Sequence, residues 1–242
     1  MELSIVIPAY NESKKIQKDI FAADKFIREN FNSGQIIIVD DGSKDETYNI
    51  ASSYQNEVET ELDVIKLNKN SGKGAAIREG IKRSDGEIVL YADAGLTVPF
   101  NNALRGIELI KEGKCDIANG SRKLPDSTII KKQDIDRRII SFFFGLAAKL
   151  FLHIPQNMTD TQCGFKVYKG KVAKELFSQL KINGFLFEIE IILLAIKKGY
   201  KVLEFPITWS CDRDSRLSVK KSSKNIIAEF KDIYNEFNKN TN

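Results

Sequence analysis

Histidine and cysteine are both scarce in this chain of 242 residues. The one histidine, His153, excludes an HExxH zinc site and leaves a Ser-His-Asp triad only one candidate base. The three cysteines, Cys115, Cys163 and Cys211, are odd in number and far apart, with no CxxC pair. This spacing indicates neither a zinc knuckle nor a disulfide framework, so we expect reduced thiols in a cytosolic protein.

The sequence also lacks an uninterrupted apolar run long enough to span a bilayer. Its most apolar segment, residues 139–154, is interrupted by Ser141, Lys149 and His153. Strand-like sequence begins at Leu3, so we expect no signal peptide. The net charge of +4 comes from dispersed basic residues without a nucleic-acid-binding motif, so nucleic acid is not an expected partner.

Short apolar runs alternate with helical stretches through the first half of the chain. Five such runs predict buried strands, at residues 3–8, 36–39, 63–67, 87–91 and 115–119. Because strands that alternate with helices form βαβ units, we expect an α/β fold with a parallel sheet and helices on both faces. Further along, residues 201–209 predict one more strand, and apolar residues within 226–237 predict one face of a terminal amphipathic helix.

Polar loops follow four of the predicted strands, at residues 8–12, 40–43, 68–73 and 92–97. Carboxyl ends of parallel strands share one edge of a sheet, so these loops predict a nucleotide pocket. Asp93 could ligate a divalent cation that bridges a diphosphate, although a loop aspartate is also an ordinary turn former. Asp40 and Asp41 could accept hydrogen bonds from a base or ribose, or could simply form a turn. Lys73 could meet a phosphate at a helix N-terminus, although the loop lacks Walker spacing.

Basic residues precede the apolar segment 139–154, and they include Arg137 and Arg138. A basic stretch before a strongly apolar helix is typical of an interfacial helix that meets lipid headgroups. A helix buried against the rest of the domain would have the same apolar composition, and the sequence leaves both interpretations open. The arginines could hold anionic groups, although most such arginines are plain surface charges.

Five motifs occur in order along the chain: IVIPAYNE at 5–12, VDDGS at 39–43, NSGKG at 70–74, GSR at 120–122 and DTQCGFK at 160–166. Together they resemble the motifs of inverting family 2 glycosyltransferases with a GT-A fold. The last motif, with GFLFEIE at 184–190 and EFPITW at 204–209, resembles the dolichyl-phosphate β-glucosyltransferase branch in particular. The resemblance implies a Rossmann-like, mostly parallel sheet flanked by helices. It also implies a nucleotide-sugar-binding core at 1–122 and an acceptor-side extension of the same domain at 123–242.

The resemblance implies roles for individual residues by their position in the motifs. The nucleotide-sugar would be bound by Pro8, Ala9, Tyr10, Glu12, Asp40, Asp41, Gly72, Lys73, Asp93, Ala94 and Arg122. The catalytic residues would be Asp93, Asp160, Glu188 and Arg122. The acceptor phosphate would be bound by Arg137, Arg138, Gln162 and Arg216. Asp93 matches the first aspartate of the family's DxD motif and would hold one Mg²⁺ or Mn²⁺, but Gly95 replaces the second aspartate.

The implied function is inverting transfer of a hexose, with glucose favoured, from a UDP-sugar rather than a GDP-sugar to a polyprenyl or dolichyl phosphate. A phosphate acceptor is already anionic near neutral pH and needs no general base. A saccharide acceptor, as in cell-surface polysaccharide synthesis, would need one, with Asp160 or Glu188 as candidates. Gly95 also leaves open a nucleotide-sugar-binding protein with weak turnover. We expect a cytoplasmic protein that is either soluble or peripheral on the cytoplasmic face of the membrane.

Overall fold

The structure is a computed structural model that describes residues 1–131, 149–152, 154–211 and 219–238. Its strands are β1 Leu3–Ala9, β2 Gly34–Asp40, β3 Glu61–Lys66, β4 Ile88–Ala92, β5 Ile117–Ser121, β6 Thr128–Lys131, β7 Phe165–Lys169, β8 Val202–Pro206 and β9 Thr208–Ser210. Its helices are α1 Ile16–Asn30, α2 Thr47–Ser53, α3 Lys73–Arg83, α4 Ala103–Lys111, α5 Gly170–Ser178, α6 Phe187–Lys197 and α7 Val219–Asn238. The terminal helix expected from residues 226–237 is therefore confirmed.

A seven-stranded sheet in the order β3-β2-β1-β4-β7-β5-β8 organises the fold. Its strands pair in parallel except β7, which runs antiparallel to both β4 and β5. A separate two-stranded sheet pairs β6 with β9. The α/β architecture with a mostly parallel sheet is as expected. Strands β1, β2 and β4 end at the same edge, where their loops approach the N-terminus of α3.

Each face of the large sheet is covered by its own apolar core. Ile5 and Ile36 point to the face covered by α1, where they pack in one cluster with Ile20. Val6, the neighbour of Ile5, points to the opposite face and packs in a second cluster with Ile77 of α3. Successive residues of a strand point to opposite faces, so a sheet buried on both sides needs continuous apolar runs. This explains why the strand sequences read as unbroken apolar segments.

Two predictions for the second half of the chain need correction. Residues 201–209 are not one strand, because β8 pairs with β5 in the large sheet whereas β9 pairs with β6 in the small one. Pro206 ends β8, and proline has no N–H with which to continue a ladder. The sheet also contains an antiparallel strand, β7, at the end of the DTQCGFK motif, where the sequence had predicted no strand.

The segment 139–154, for which both an interfacial helix and a buried helix were left open, lies mostly outside the described residues. Its described part includes Leu150 and Phe151, whose side chains are 63% and 53% exposed. Across the described part of the chain, no helix combines the length and the apolar character that crossing a bilayer requires.

Candidate functional site

A cleft of about 380 Å³ opens at the carboxyl edge of β1, β2 and β4. All four polar loops that the sequence placed at this edge contribute to its wall. The lining residues are Pro8, Ala9, Tyr10, Glu12, Asp41, Asn70, Gly72, Lys73, Ala76, Asp93, Ala94, Thr97 and Phe185. Most of the residues expected to bind a nucleotide-sugar therefore lie together, whereas Asp40 and Arg122 lie outside the lining.

Asp41 joins the loop after β2 to the loop before α3. Its carboxylate accepts hydrogen bonds from the backbone N–H groups of Ser71, at 2.7 Å, and Gly72, at 2.9 Å. Burial raises the pKa of Asp41, the charge of Asp40 adds to that rise, and the two N–H groups partly offset it. Gly72 has a φ of 103°, and a Cβ there would lie 2.4 Å from the carbonyl oxygen of Asn183. Glycine is therefore required at this turn.

Asp40 is fully buried behind the cleft wall. One carboxylate oxygen, Oδ1, accepts a hydrogen bond of 3.1 Å from the backbone N–H of Ser43. The other, Oδ2, has no hydrogen-bond partner among the described residues. Buried carboxylate oxygens normally accept a hydrogen bond, so the unpaired Oδ2 of Asp40, at the end of a strand behind the cleft, is unusual.

Asp93 lies just beyond β4, where its carboxylate is one-third exposed to the cleft (33%). The ammonium of Lys73 lies 2.9 Å from Asp93 Oδ1, and the hydroxyl of Tyr91 lies 2.7 Å from the same atom. Gly164 lies against the other oxygen of the Asp93 carboxylate, so closely that a Cβ at residue 164 would lie 2.0 Å from Asp93 Oδ2. The Asp93 carboxylate thus lies between the Lys73 ammonium, the Tyr91 hydroxyl and Gly164, where any larger residue would clash with it.

Glu188, in the first turn of α6, is the second acid of this cluster and is only 2% exposed. Its carboxylate lies 3.0 Å from the Tyr91 hydroxyl, 3.3 Å from Lys73 Nζ and 3.5 Å from Lys166 Nζ. Burial lowers the pKa of Lys73, but the charges of Asp93 and Glu188 outweigh it and hold that pKa above its ordinary value. The Tyr91 hydroxyl has one proton, so it donates to only one of its two carboxylates at a time.

Arg122, which directly follows β5, forms a two-pronged ion pair with Asp160. Arg122 Nε lies 2.6 Å from Asp160 Oδ2, and its Nη2 lies 2.8 Å from Oδ1. Burial raises the pKa of Asp160, but the Arg122 guanidinium more than offsets it, so the net pKa lies below its usual value. Glu204 accepts the Asp160 backbone N–H at 2.7 Å, and the Arg122 guanidinium lies over the Trp209 ring. Asp160 is therefore a held, ionised partner of Arg122.

Of the four residues predicted to bind the acceptor phosphate, the structure describes only Gln162. Arg137, Arg138 and Arg216 lie outside the described residues. Gln162 accepts a hydrogen bond of 3.3 Å from Arg122 through its backbone oxygen, and its side-chain Nε2 is buried without a partner among the described residues. Within those residues, no group of three or more His, Cys, Asp or Glu side chains is arranged to hold a metal ion.

Several residues around the cleft were missed by the sequence interpretation. Tyr91 read only as the end of a strand, and Lys166 only as the end of a motif. Asp19 was not singled out at all, although it is buried against the loop that follows Asp93. A charged residue is rarely buried without a partner, but sequence alone does not reveal which lysine or aspartate is buried.

Comparisons with known proteins cover most of the chain. The profile of the family described as Glycosyl transferase family 2 matches residues 4–177. Dolichyl-phosphate beta-glucosyltransferases from Dictyostelium discoideum and Saccharomyces cerevisiae are both 32% identical to it, over 91% and 86% of this chain. These alignments cover 70% and 66% of the two relatives. A crystal structure of glucosyl-3-phosphoglycerate synthase from Mycobacterium tuberculosis with Mn²⁺, UDP and glucosyl-3-phosphoglycerate superposes with a TM-score of 0.70 at 17% identity, over 96% of this chain and 79% of that one. This likeness confirms the expected GT-A fold.

Proposed function

Because the chain belongs to glycosyl transferase family 2, we propose that it transfers glucose from UDP-glucose to a polyprenyl or dolichyl phosphate with inversion at the anomeric carbon. The observation that carries the proposal is the reach of the similarity to dolichyl-phosphate beta-glucosyltransferases, which extends over 91% of this chain. That similarity includes the half beyond residue 122. We assign donor binding to residues 1–122 and acceptor binding to residues 123–242 of one catalytic domain.

The donor would lie in the cleft with its nucleoside against the loop at 8–12 and its diphosphate toward Lys73 and Asp93. Asp41, which lines the cleft, would face the nucleoside, whereas the buried Asp40 would act behind it by holding the loop at 40–43 through the Ser43 N–H. The ammonium of Lys73 at the start of α3 supplies positive charge where a diphosphate would lie. We propose UDP rather than GDP because the relatives named above are glucosyltransferases and the superposed structure contains UDP.

A divalent cation would have one protein ligand here. Asp93 is the only carboxylate of the Asp93-Ala94-Gly95 sequence. Its Oδ1 pairs with the Lys73 ammonium at 2.9 Å, and this ammonium would have to move toward the diphosphate for a metal ion to bind at that oxygen. This chemistry fits one Mg²⁺ or Mn²⁺ held jointly by Asp93, diphosphate oxygens and water, because Mg²⁺ needs only one or two carboxylates. When bound, such a cation stabilises the negative charge of a leaving diphosphate. With one carboxylate, we expect weaker metal affinity than a two-aspartate site would give.

A phosphate acceptor suits the acidic groups of the site better than a saccharide acceptor does. Asp160, a candidate base, is paired with Arg122, and its pKa lies below its usual value, so it is a poor proton acceptor at neutral pH. Glu188, the other candidate, is buried and lies near two ammonium groups. A lipid phosphate is already anionic near neutral pH and can attack without a base. Asp160 then serves to hold Arg122, which would face the sugar-phosphate.

The lipid acceptor implies contact with a membrane surface, and we place the protein as peripheral on the cytoplasmic face. The exposed apolar side chains of Leu150 and Phe151 support such contact, as does the basic stretch with Arg137 and Arg138 that comes before them in the sequence. Anionic liposomes should carry the full chain in a flotation assay, and Leu150→Ser with Phe151→Ser should weaken that binding. A wild-type chain that does not float with them would contradict the membrane contact.

A transfer assay with labelled UDP-glucose tests the proposed reaction. We expect the label to enter the lipid extract when polyprenyl phosphate is present, and Asp93→Asn to abolish most of this transfer. Asp63→Asn is the matched control, since Asp63 is a partly exposed aspartate of β3 outside the cleft. Label in a saccharide acceptor would indicate polysaccharide synthesis, and UDP-glucose binding without any transfer would indicate a binding protein. Either result would overturn the proposal.

A further inference from the structure

A buried carboxylate on α1 makes three hydrogen bonds to the loop that carries Asp93. Asp19 Oδ1 accepts from the backbone N–H of Gly95 at 3.0 Å and of Leu96 at 2.9 Å, and its Oδ2 accepts from Gly95 at 2.9 Å. The Asp19 side chain is 1% exposed and does not line the cleft. Its effect on any ligand must therefore pass through the loop.

The loop has a conformation that needs such support. Gly95 has a φ of 87° and Leu96 a φ of 48°, so two consecutive residues lie in the left-handed region. A residue such as Leu96 rarely adopts this region and persists there only when its surroundings fix it. Two successive N–H groups that point the same way form a concavity for an acceptor group, and the carboxyl oxygens of Asp19 fill it from within the protein.

The residues on either side of this anchor face the cleft. Asp93 and Ala94 precede Gly95, Thr97 follows Leu96, and all three line the cleft. Thr97 is fixed at its own end, because its carbonyl oxygen accepts a hydrogen bond of 2.9 Å from the backbone N–H of Ser210. The Asp19 anchor thus fixes the middle of a cleft-lining segment whose ends are held by β4 and β9.

We infer that Asp19 is a positioning residue for nucleotide binding, which acts by fixing the loop at 93–97 and with it the carboxylate of Asp93. Gly95 has no side chain with which to contribute to a ligand or to the loop, so the anchor comes from the neighbouring helix instead. This inference rests on the proposed function in one respect, namely that the cleft binds a nucleoside diphosphate.

The chain offers a matched control on the same helix. Asp24 is also a buried aspartate of α1, and it accepts a backbone N–H, that of Thr60, at 2.9 Å. Thr60 precedes β3, away from the cleft. Asp19→Asn and Asp24→Asn therefore make the same carboxyl-to-amide change on the same helix. The second also weakens the contact of 3.0 Å between Asp24 and Arg28, but only the first disturbs the loop at 93–97.

Calorimetric titration of the full chain with UDP and backbone hydrogen exchange together test the inference. Asp19→Asn should weaken UDP binding about tenfold and speed exchange at Gly95 and Leu96, because an amide offers one acceptor oxygen where the carboxyl group offers two to these N–H groups. Asp24→Asn should change UDP affinity less than about twofold and speed exchange at Thr60 instead.

Unchanged UDP affinity in a folded Asp19→Asn variant would overturn the inference. If that variant does not fold, the wild-type chain decides, because free exchange of the Gly95 and Leu96 amides in it would also overturn the anchor. If the wild-type chain does not bind UDP, the nucleotide assignment fails separately, and the exchange pattern still tests whether Asp19 holds the loop.

Discussion

The Arg122–Asp160 pair is the contact whose removal should change stability most. The atoms Arg122 Nε and Asp160 Oδ2 lie 2.6 Å apart, and the side chains of Arg122 and Asp160 are 19% and 2% exposed. Removing one partner of a buried ion pair leaves the other charge uncompensated, which costs about 3–5 kcal/mol. Removing both partners leaves no stranded charge. We therefore expect Arg122→Met and Asp160→Asn each to destabilise strongly, and the double variant to be more stable than the sum of the two losses predicts.

The size of the effect can be read as a melting temperature. For a chain of this size, 1 kcal/mol corresponds to a shift of about 2–4 °C, so each single variant should melt about 6–20 °C below the wild type. Asp160 has a pKa below its usual value, so the stability from its charge is present above about pH 4 and is lost as the pH falls through the folded-state pKa. The gap between wild type and Asp160→Asn should therefore shrink in acid.

Urea unfolding of the four proteins, followed by fluorescence, measures these free energies. Glu59→Gln is the matched control: Glu59 makes an equally short contact, 2.6 Å, with Arg28, but the two side chains are 76% and 45% exposed. Exposed pairs contribute about 0–1 kcal/mol, so this variant should unfold almost as the wild type does. If Asp160→Asn lost no more stability than Glu59→Gln, or if the single losses simply added, our account of the buried pair would be refuted.

Three further outcomes can be checked. Gly164→Ala should weaken UDP binding measured with Mn²⁺ about tenfold, since its Cβ would lie 2.0 Å from an Asp93 oxygen; unchanged affinity would contradict this. Tyr91→Phe should lower kcat/KM about tenfold or more, because Asp93 loses a hydrogen bond. Tyr168→Phe is the control and should leave kcat/KM unchanged, since the Tyr168 hydroxyl has no hydrogen-bond partner among the described residues. Burial raises the pKa of Asp19 to about 7, so the contribution of Asp19 to folding stability is complete below about pH 4 and is lost as the pH rises through 7. In urea unfolding, the stability of the wild type relative to Asp19→Asn should fall by up to about 4 kcal/mol between pH 4 and 8. A constant difference would show that the pKa is not raised.

The sequence was sufficient to predict the parts of the fold that depend on local patterns. Strands β1 to β5 are each an apolar run followed by a polar loop, and parallel pairing brings those loops to one edge. Asp41 and Gly72 could therefore be placed in one pocket from the order of strands and loops alone. Their contact is made between two adjacent loops of that edge.

The remainder depends on contacts between distant parts of the chain. Strand β7 contains Lys166, which reads as a surface residue until Glu188, on another element, is known to lie beside it. Asp19 is 76 residues from Gly95, and Tyr91 is 97 residues from Glu188, so neither pairing leaves a periodic or local pattern. Buried polar networks form between elements, and only their three-dimensional packing identifies the members.

Titration calorimetry of the full chain with UDP and with GDP, each with and without Mn²⁺, tests the central claim most directly. That claim is that the cleft at the ends of β1, β2 and β4 binds a nucleoside diphosphate with one divalent cation. We predict that UDP binds more tightly than GDP and that Mn²⁺ strengthens UDP binding despite Gly95. Binding of neither nucleotide under any of the four conditions would contradict the account.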